Sequence, residues 1–292
     1  MITFTVPDTA TSCFVVATDR VPEELPISAL QDLPDAFAEG ASERLGTPSL
    51  AITSYPAADS PWDLSHTFGG TAEVSDAREA VHHIGVTAAL PVNDQPVGIQ
   101  IARAAARAIA DQLRGTAVDL DTGQILSNDA ENTRFLLADD WLGVWLPPYR
   151  NGGRCTSPDD EVDACECVNL TTSGLTRFGL PELQITQVAC HHDLAALNVL
   201  RVTAQRLLPT GRQPGGHSFS RDLSITGADF SAFWGVHHPM WDDGPVPVHL
   251  TPRGGSLVSI GPPKAFPGTL NEWLWDELPP VLYDLLSCEP DP

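Results

Sequence analysis

Six of the nine histidines fall in adjacent pairs, His82-His83, His191-His192 and His237-His238. A strand turns successive side chains to opposite faces, so each pair can send one imidazole toward a common site. One member of each pair, His83, His192 and His238, taken with a carboxylate such as Asp242, gives three neutral nitrogens and an oxygen. That donor set suits zinc or another first-row ion, and it points to a metal-dependent enzyme. Asp193 and Asp243 are alternative carboxylates. The histidines show no His-Glu-x-x-His spacing or other established metal signature. The competing account is that they cap strand ends and satisfy backbone groups.

The cysteines offer a second donor set. Cys155, Cys165 and Cys167 lie close in sequence, and Cys190 directly precedes His191-His192. A Cys-x-Cys with a distant Cys-His can bind zinc. Structural zinc sites, however, usually carry two knuckles whose cysteines are about two to four residues apart. Here one residue separates the pair and a second knuckle is missing, so buried inert thiols are the competing account. Zinc is therefore the alternative cofactor, and the expectation without it is none. Gly-x-Gly-x-x-Gly, Walker-type and Gly-x-Ser-x-Gly patterns are absent, which leaves nucleotide binding and nucleophile-elbow hydrolysis unsupported and assigns no catalytic residue.

The elements that must position these residues are clearest at 80–120. Ala80–Leu90 reads as a strand, Val97–Leu113 as a helix and Thr116–Leu120 as a second strand. The helix stacks Ile101, Ala105, Ile109 and Leu113 at four-residue intervals on one face, with Arg103, Arg107, Asp111 and Arg114 off it. Gly115 stands where a helix C-cap is expected. The same grammar recurs at 168–172 and 182–188, which read as strands around Gly174, Gly179 and Pro181, followed by a helix over Leu194–Leu208. Only glycine enters positive φ without steric cost, so Gly174 or Gly179 should lie there. Further strands are expected at 13–17, 49–53, 223–226, 246–250 and 257–260, and a helix near 29–45 interrupted by Pro34. Tyr55–Gly70 reads as a surface loop.

Grouped strands, hairpins and single long helices imply an α+β fold. The expected organisation is two related subdomains, 1–146 and 165–292, each a mainly antiparallel sheet with a long helix packed on one face. Residues 147–164, rich in turn formers and charge, read as a linker or exposed loop. Trp141-Leu142-Gly143-Val144-Trp145 and Trp273-Leu274-Trp275 read as aromatic anchors of the core.

Composition excludes some partners. Acidic residues number 38 against 16 basic, a formal charge of -22. Such a field disfavours nucleic-acid phosphate and anionic membrane surfaces and favours a basic protein partner. The clustered candidates for that contact are Asp139 and Asp140, with Asp159, Asp160, Glu161 and Asp163 further along. No apolar run approaches the ~20 residues of a membrane helix, and the N-terminus lacks a signal-peptide pattern. Mostly reduced cysteines without secretion signals imply a cytoplasmic protein.

The unit Thr171-Thr172-Ser173-Gly174-Leu175-Thr176-Arg177-Phe178-Gly179-Leu180-Pro181-Glu182-Leu183-Gln184-Ile185, with the helix Leu194–Leu208 after it, resembles a bacterial domain-of-unknown-function family of the polymorphic-toxin immunity type. In that family a Thr-x-Gly-(Leu/Met)-x-x-Phe-Gly-x-Pro-(Glu/Asp) hairpin precedes a helix, and residues 80–120 are similar to its first half. The resemblance implies a cytosolic, non-catalytic binding module with no agreed catalytic residues. This chain departs from the pattern in its Cys-rich stretch at 155–167 and in Cys190-His191-His192. The leading expectation is a soluble acidic protein-binding module, an immunity or accessory protein. The rival is the metal-dependent enzyme drawn from the paired histidines, and a weaker third is an accessory protein with a small-molecule pocket.

Overall fold

The computed structural model describes residues 1–127, 129–145 and 165–284. Along the chain run β1 (Ile2–Val6), β2 (Thr9–Thr18), α1 (Asp35–Arg44), β3 (Ala51–Pro56), α2 (Thr71–Glu79) and β4 (His82–Pro91). Then follow α3 (Val97–Leu113), β5 (Thr116–Asp119), β6 (Gln124–Ile125), β7 (Gly143–Trp145), β8 (Val168–Ser173) and β9 (Glu182–Val188). The chain continues through α4 (Asp193–Leu207), β10 (Gly215–Phe219), β11 (Asp222–Ile225), α5 (Gly227–Trp234), β12 (Val246–Pro252), β13 (Leu257–Gly261) and α6 (Leu270–Asp276). The fold is α+β, with mainly antiparallel sheets. Two compact units divide it: Pro7–Phe135 with Arg177–Gly179, and Met1–Val6 with Leu136–Thr176 and Leu180–Pro292. The expected connection at 147–164 lies outside the described residues.

The first unit is built on the five-stranded order β3-β4-β2-β5-β6, antiparallel throughout. α3 packs on β2, β4 and β5. Its face Ile101, Ala105, Ile109 and Leu113 is buried, as the 3.6-residue spacing requires. Arg103, off that face, is buried as well, because its guanidinium is held 2.7 Å from both carboxylate oxygens of Glu131. The helix ends on a left-handed residue that is Arg114 (φ 53°) rather than Gly115. Pro34 caps α1 after a 3-10 turn at Ile27–Asp32, so the expected break falls where the proline removes a donor.

The opposite face of the sheet is covered too. Val15, Ala17 and Val118 meet Ala77 of α2 and Leu64 of the preceding segment, with Trp62 against them. The stretch read as a surface loop is therefore partly a second layer. Gly85 of β4 makes room for it, since a Cβ there would sit 2.1 Å from the Trp62 ring.

A buried ionic cluster lies within this unit. Arg177 Nη2 is 2.5 Å from Asp119 Oδ1 and 3.1 Å from Asp121 Oδ2, and its guanidinium stands over the Phe14 ring at 5.7 Å. Burial pushes the Asp121 carboxyl up from 3.8 to about 6, opposed by Arg177 and reinforced by Asp119. The folded value lies above the unfolded one, so the folded chain binds more protons between 3.8 and about 6, and stability falls as pH rises through that window. At ~1.36 kcal/mol per unit the ionised side chain costs roughly 3 kcal/mol above the window. Asp121→Asn should therefore stabilise by roughly 2–3 kcal/mol near pH 8 and change little near pH 4. Urea unfolding at both pH values measures this, and equal effects at the two would count against the assignment.

The second unit carries the six-stranded order β11-β12-β13-β9-β8-β7, antiparallel except where β13 runs parallel to β9. α4 packs on β8 and β9 and against α5, burying Ala195, Ala196, Val199, Leu200 and Val202. β1 and β10 form a separate ribbon. The β8–β9 turn explains the motif that the sequence displays. Glu182 accepts the Thr172 hydroxyl at 2.6 Å and the Gly174 and Thr176 amides at 3.0 and 3.2 Å, while Thr172 Oγ1 accepts the Leu183 amide at 2.8 Å. Gly174 and Gly179 both lie at positive φ, 104° and 72°. Gly179→Val should cost about 1–2 kcal/mol in chemical denaturation, and a neutral result would contradict the steric argument.

Candidate metal centre

Three sulfurs converge where the β8–β9 hairpin opens. Cys167 directly precedes β8, Cys165 lies two residues before it, and Cys190 opens the 3-10 turn Cys190–His192 that leads into α4. Val168 pairs with Val188 across the antiparallel strands, so the start of one strand lies beside the end of the other. The Sγ separations are 2.9 Å for Cys167–Cys190, 3.2 Å for Cys165–Cys167 and 3.4 Å for Cys165–Cys190. Among the described residues this is the one group of three or more His, Cys, Asp or Glu side chains close enough to share an ion. All three cysteines are unbridged, Cys167 exposed and the other two half-buried.

The backbone on both sides of Val188 is fixed by a buried side chain of α6. Asn271 Oδ1 accepts the Ala189 amide at 2.8 Å, and Asn271 Nδ2 donates to the Gln187 carbonyl at 3.4 Å. Gln187 itself sits at φ 66°, its amide held by Asn169 Oδ1 at 3.1 Å and its side chain by Glu166 at 3.0 Å. The strand end is thereby turned so that Cys190 meets the two cysteines ahead of β8. Asn271→Ala strands the buried Ala189 amide and should cost about 1–3 kcal/mol in chemical denaturation. It should also weaken metal binding by about tenfold or more, because support of the ligating segment is lost. Unchanged affinity in a competition titration would show that the segment holds its shape without α6.

Electrostatics explains what the cluster requires. Burial, then hydrogen bonds from Cys167 and Cys165, push the Cys190 thiol well above its ordinary value. Ionising several sulfurs within 3.4 Å concentrates negative charge that needs a cation beside it. The Cys190 amide already points at Cys165 Sγ, 3.2 Å away. A zinc–thiolate bond of ~2.3 Å places tetrahedral ligand sulfurs about 3.8 Å apart. The observed separations of 2.9–3.4 Å fall short of that by about 0.4–0.9 Å, so the sulfurs move apart by that much when they take an ion. The cluster can hold a metal ion.

The four residues singled out by the paired-histidine reading have other surroundings. His83, on β4 of the first unit, has Nδ1 2.8 Å from Ser60 Oγ, and burial followed by the neighbouring His82 pulls its pKa down. His192 is buried in the second unit, its ring 4.0 Å from His191 and 5.8 Å from Trp275. His238 and Asp242 are exposed, and the His238 carbonyl accepts the Ser231 hydroxyl at 2.5 Å. These four do not form a shared ligand group among the described residues. Of the aromatic anchors, Trp141 and Trp273 are fully buried, whereas Trp275 is 58% exposed. Asp139 and Asp140 lie at a turn, and Asp159, Asp160, Glu161, Asp163 and Cys155 lie outside the described residues. No described helix is long and apolar enough to cross a membrane.

Comparison with family models, with curated proteins and with solved structures found no match.

Proposed function

We propose that the chain is a zinc-binding protein in which Cys165, Cys167 and Cys190 supply thiolate ligands and the ion clasps the open end of the β8–β9 hairpin to the start of α4. The observation that carries this reading is the convergence of three sulfurs within 3.4 Å of one another. Zinc suits them because thiolates are soft donors and the ion has no redox chemistry of its own. Its role here is structural. It neutralises the sulfur charge and ties two segments that the strand ladder leaves side by side.

Metal analysis of the untagged, full-length protein tests the reading. One zinc per chain is expected, lost in Cys165→Ser and Cys190→Ser and kept in Cys13→Ser, whose thiol belongs to the other unit. Cobalt substitution should give an intense sulfur-to-metal absorption. A metal-free protein after growth in zinc-replete medium, or zinc retained in both variants, overturns the reading.

The charge of -22 supports a second reading, a binding module of the immunity type for a basic partner. Such association weakens steeply once screening falls to ~10 Å near 0.1 M salt. Proteins retained from lysate at low salt should be basic and should elute as salt rises; retention without basic bias would sink this reading.

A further inference from the structure

We infer that Cys167 and Cys190 form a redox latch on the metal site, closing to a disulfide under peroxide and releasing the ion as they close. The inference rests on the zinc reading above and adds how the site is regulated.

The geometry singles out this pair. Cys167–Cys190 is the shortest of the three sulfur separations at 2.9 Å, and Cys167 is the exposed member of the cluster. Cys165 is engaged differently, since its sulfur accepts the Cys190 amide at 3.2 Å. A peroxide arriving from solvent therefore meets Cys167 first, and the nearest resolving sulfur is that of Cys190. A disulfide of ~2.04 Å asks the two sulfurs to approach by about 0.9 Å. Both residues flank β8 and β9 without belonging to either strand, so the closure can proceed by side-chain rotation while the Val168–Val188 pairing persists.

The chemistry balances with hydrogen peroxide as oxidant. The Cys167 sulfur attacks one peroxide oxygen; an S–O bond forms, the O–O bond breaks, and the departing hydroxide takes up a proton to become water. The Cys190 thiolate then attacks the Cys167 sulfur; the S–S bond forms, the S–O bond breaks, and a second hydroxide leaves as water after protonation. Two zinc-bound thiolates lose two electrons to the peroxide, and two protons from bulk water turn the two departing hydroxides into two waters. Of the three sulfurs only Cys165 remains a thiolate, too few to retain zinc. A dithiol reductant restores both thiols by exchange and is itself oxidised to a disulfide.

The test treats zinc-loaded, full-length protein with hydrogen peroxide, reading zinc release with a chromogenic chelator and disulfides by alkylation and peptide mass mapping. One zinc should leave for each Cys167–Cys190 crosslink, and dithiothreitol with added zinc should reverse both. In Cys190→Ser the crosslink should be lost, and Cys167 should be trapped as a sulfenic acid by a dione reagent under conditions where Cys165→Ser still crosslinks. Zinc retained through oxidation, zinc released without this crosslink, or a crosslink through Cys165 instead would overturn the latch. A chain carrying no zinc before peroxide is added overturns the metal reading itself, a result distinct from zinc that binds and is not released.

Discussion

Arg177→Ala is expected to destabilise the protein by about 3–5 kcal/mol near pH 8 and by clearly less near pH 5, measured by urea unfolding. The guanidinium is fully buried against Asp119, itself fully buried, with Asp121 3.1 Å from the same nitrogen. Truncation leaves two carboxylates facing each other with no cation, and the low-dielectric surroundings make that charge far more costly than the lost packing over Phe14. Acid relieves the cost, because a proton on Asp121, whose carboxyl burial pushes up, removes one of the two charges. Asp121 already titrates near pH 6 with Arg177 present, so its removal should raise the value further. Arg177→Lys should recover part of the loss, since an ammonium keeps the charge but not the planar fork. A loss below about 1 kcal/mol, or one independent of pH, would show that the cluster is not the electrostatic anchor its geometry describes.

Regular periodicity explains which parts of the fold could be read from the residues. The four-residue spacing on α3, the alternation in β8 and β9, and Pro34 at the start of α1 are local signals, and each marks an element where it occurs. β10 carries no such signal, and β1, although Ile2, Phe4 and Val6 alternate with Thr3 and Thr5, does not name its partner. Their pairing joins Ile2 to Phe219 and Val6 to Gly215, a match between distant segments that only the assembled chain creates. Trp62 and Leu64 were hidden in a stretch whose Pro, Asp and Ser content reads as loop, although their apolar side chains complete a core. α5 had a readable start in Thr226-x-x-Asp229, a capping box of Thr with Asp rather than the usual Glu.

The site was legible in a different way. Spacing rules for zinc look along the sequence, and by that measure Cys165-x-Cys167 has no second knuckle. Strand pairing supplies the missing relation, because residues just before one strand of a hairpin lie beside residues just after the other. Cys167 ahead of Val168 and Cys190 beyond Val188 satisfy that condition. The paired histidines drew attention by residue type alone, and they enter no group of three metal donors among the described residues. Arg177 shows the converse: nothing in the hairpin residues around it marks it as buried, and its burial depends on Asp119 and Asp121, far away in sequence.

Chelating the metal should lower the melting temperature by about 8–16 °C without abolishing the fold. At free zinc a thousandfold above the dissociation constant, binding contributes ~4 kcal/mol, and about 2–4 °C accompanies each kcal/mol in a protein of this size. The fold should survive because the site is supported without the ion, by the β8–β9 ladder and by Asn271 on either side of Val188. Zinc fingers, whose small cores depend on the ion, unfold when it is removed. Hydrogen exchange should therefore accelerate near residues 165–193 and change little across α3, whose buried face belongs to the first unit. Cys190→Ser should reproduce the chelated state and make the protein insensitive to further chelator. One zinc per chain with no thermal shift on its removal would mean that the ion sits on the hairpin without bracing it, and complete unfolding would mean that the ladder and Asn271 do not hold the segment on their own.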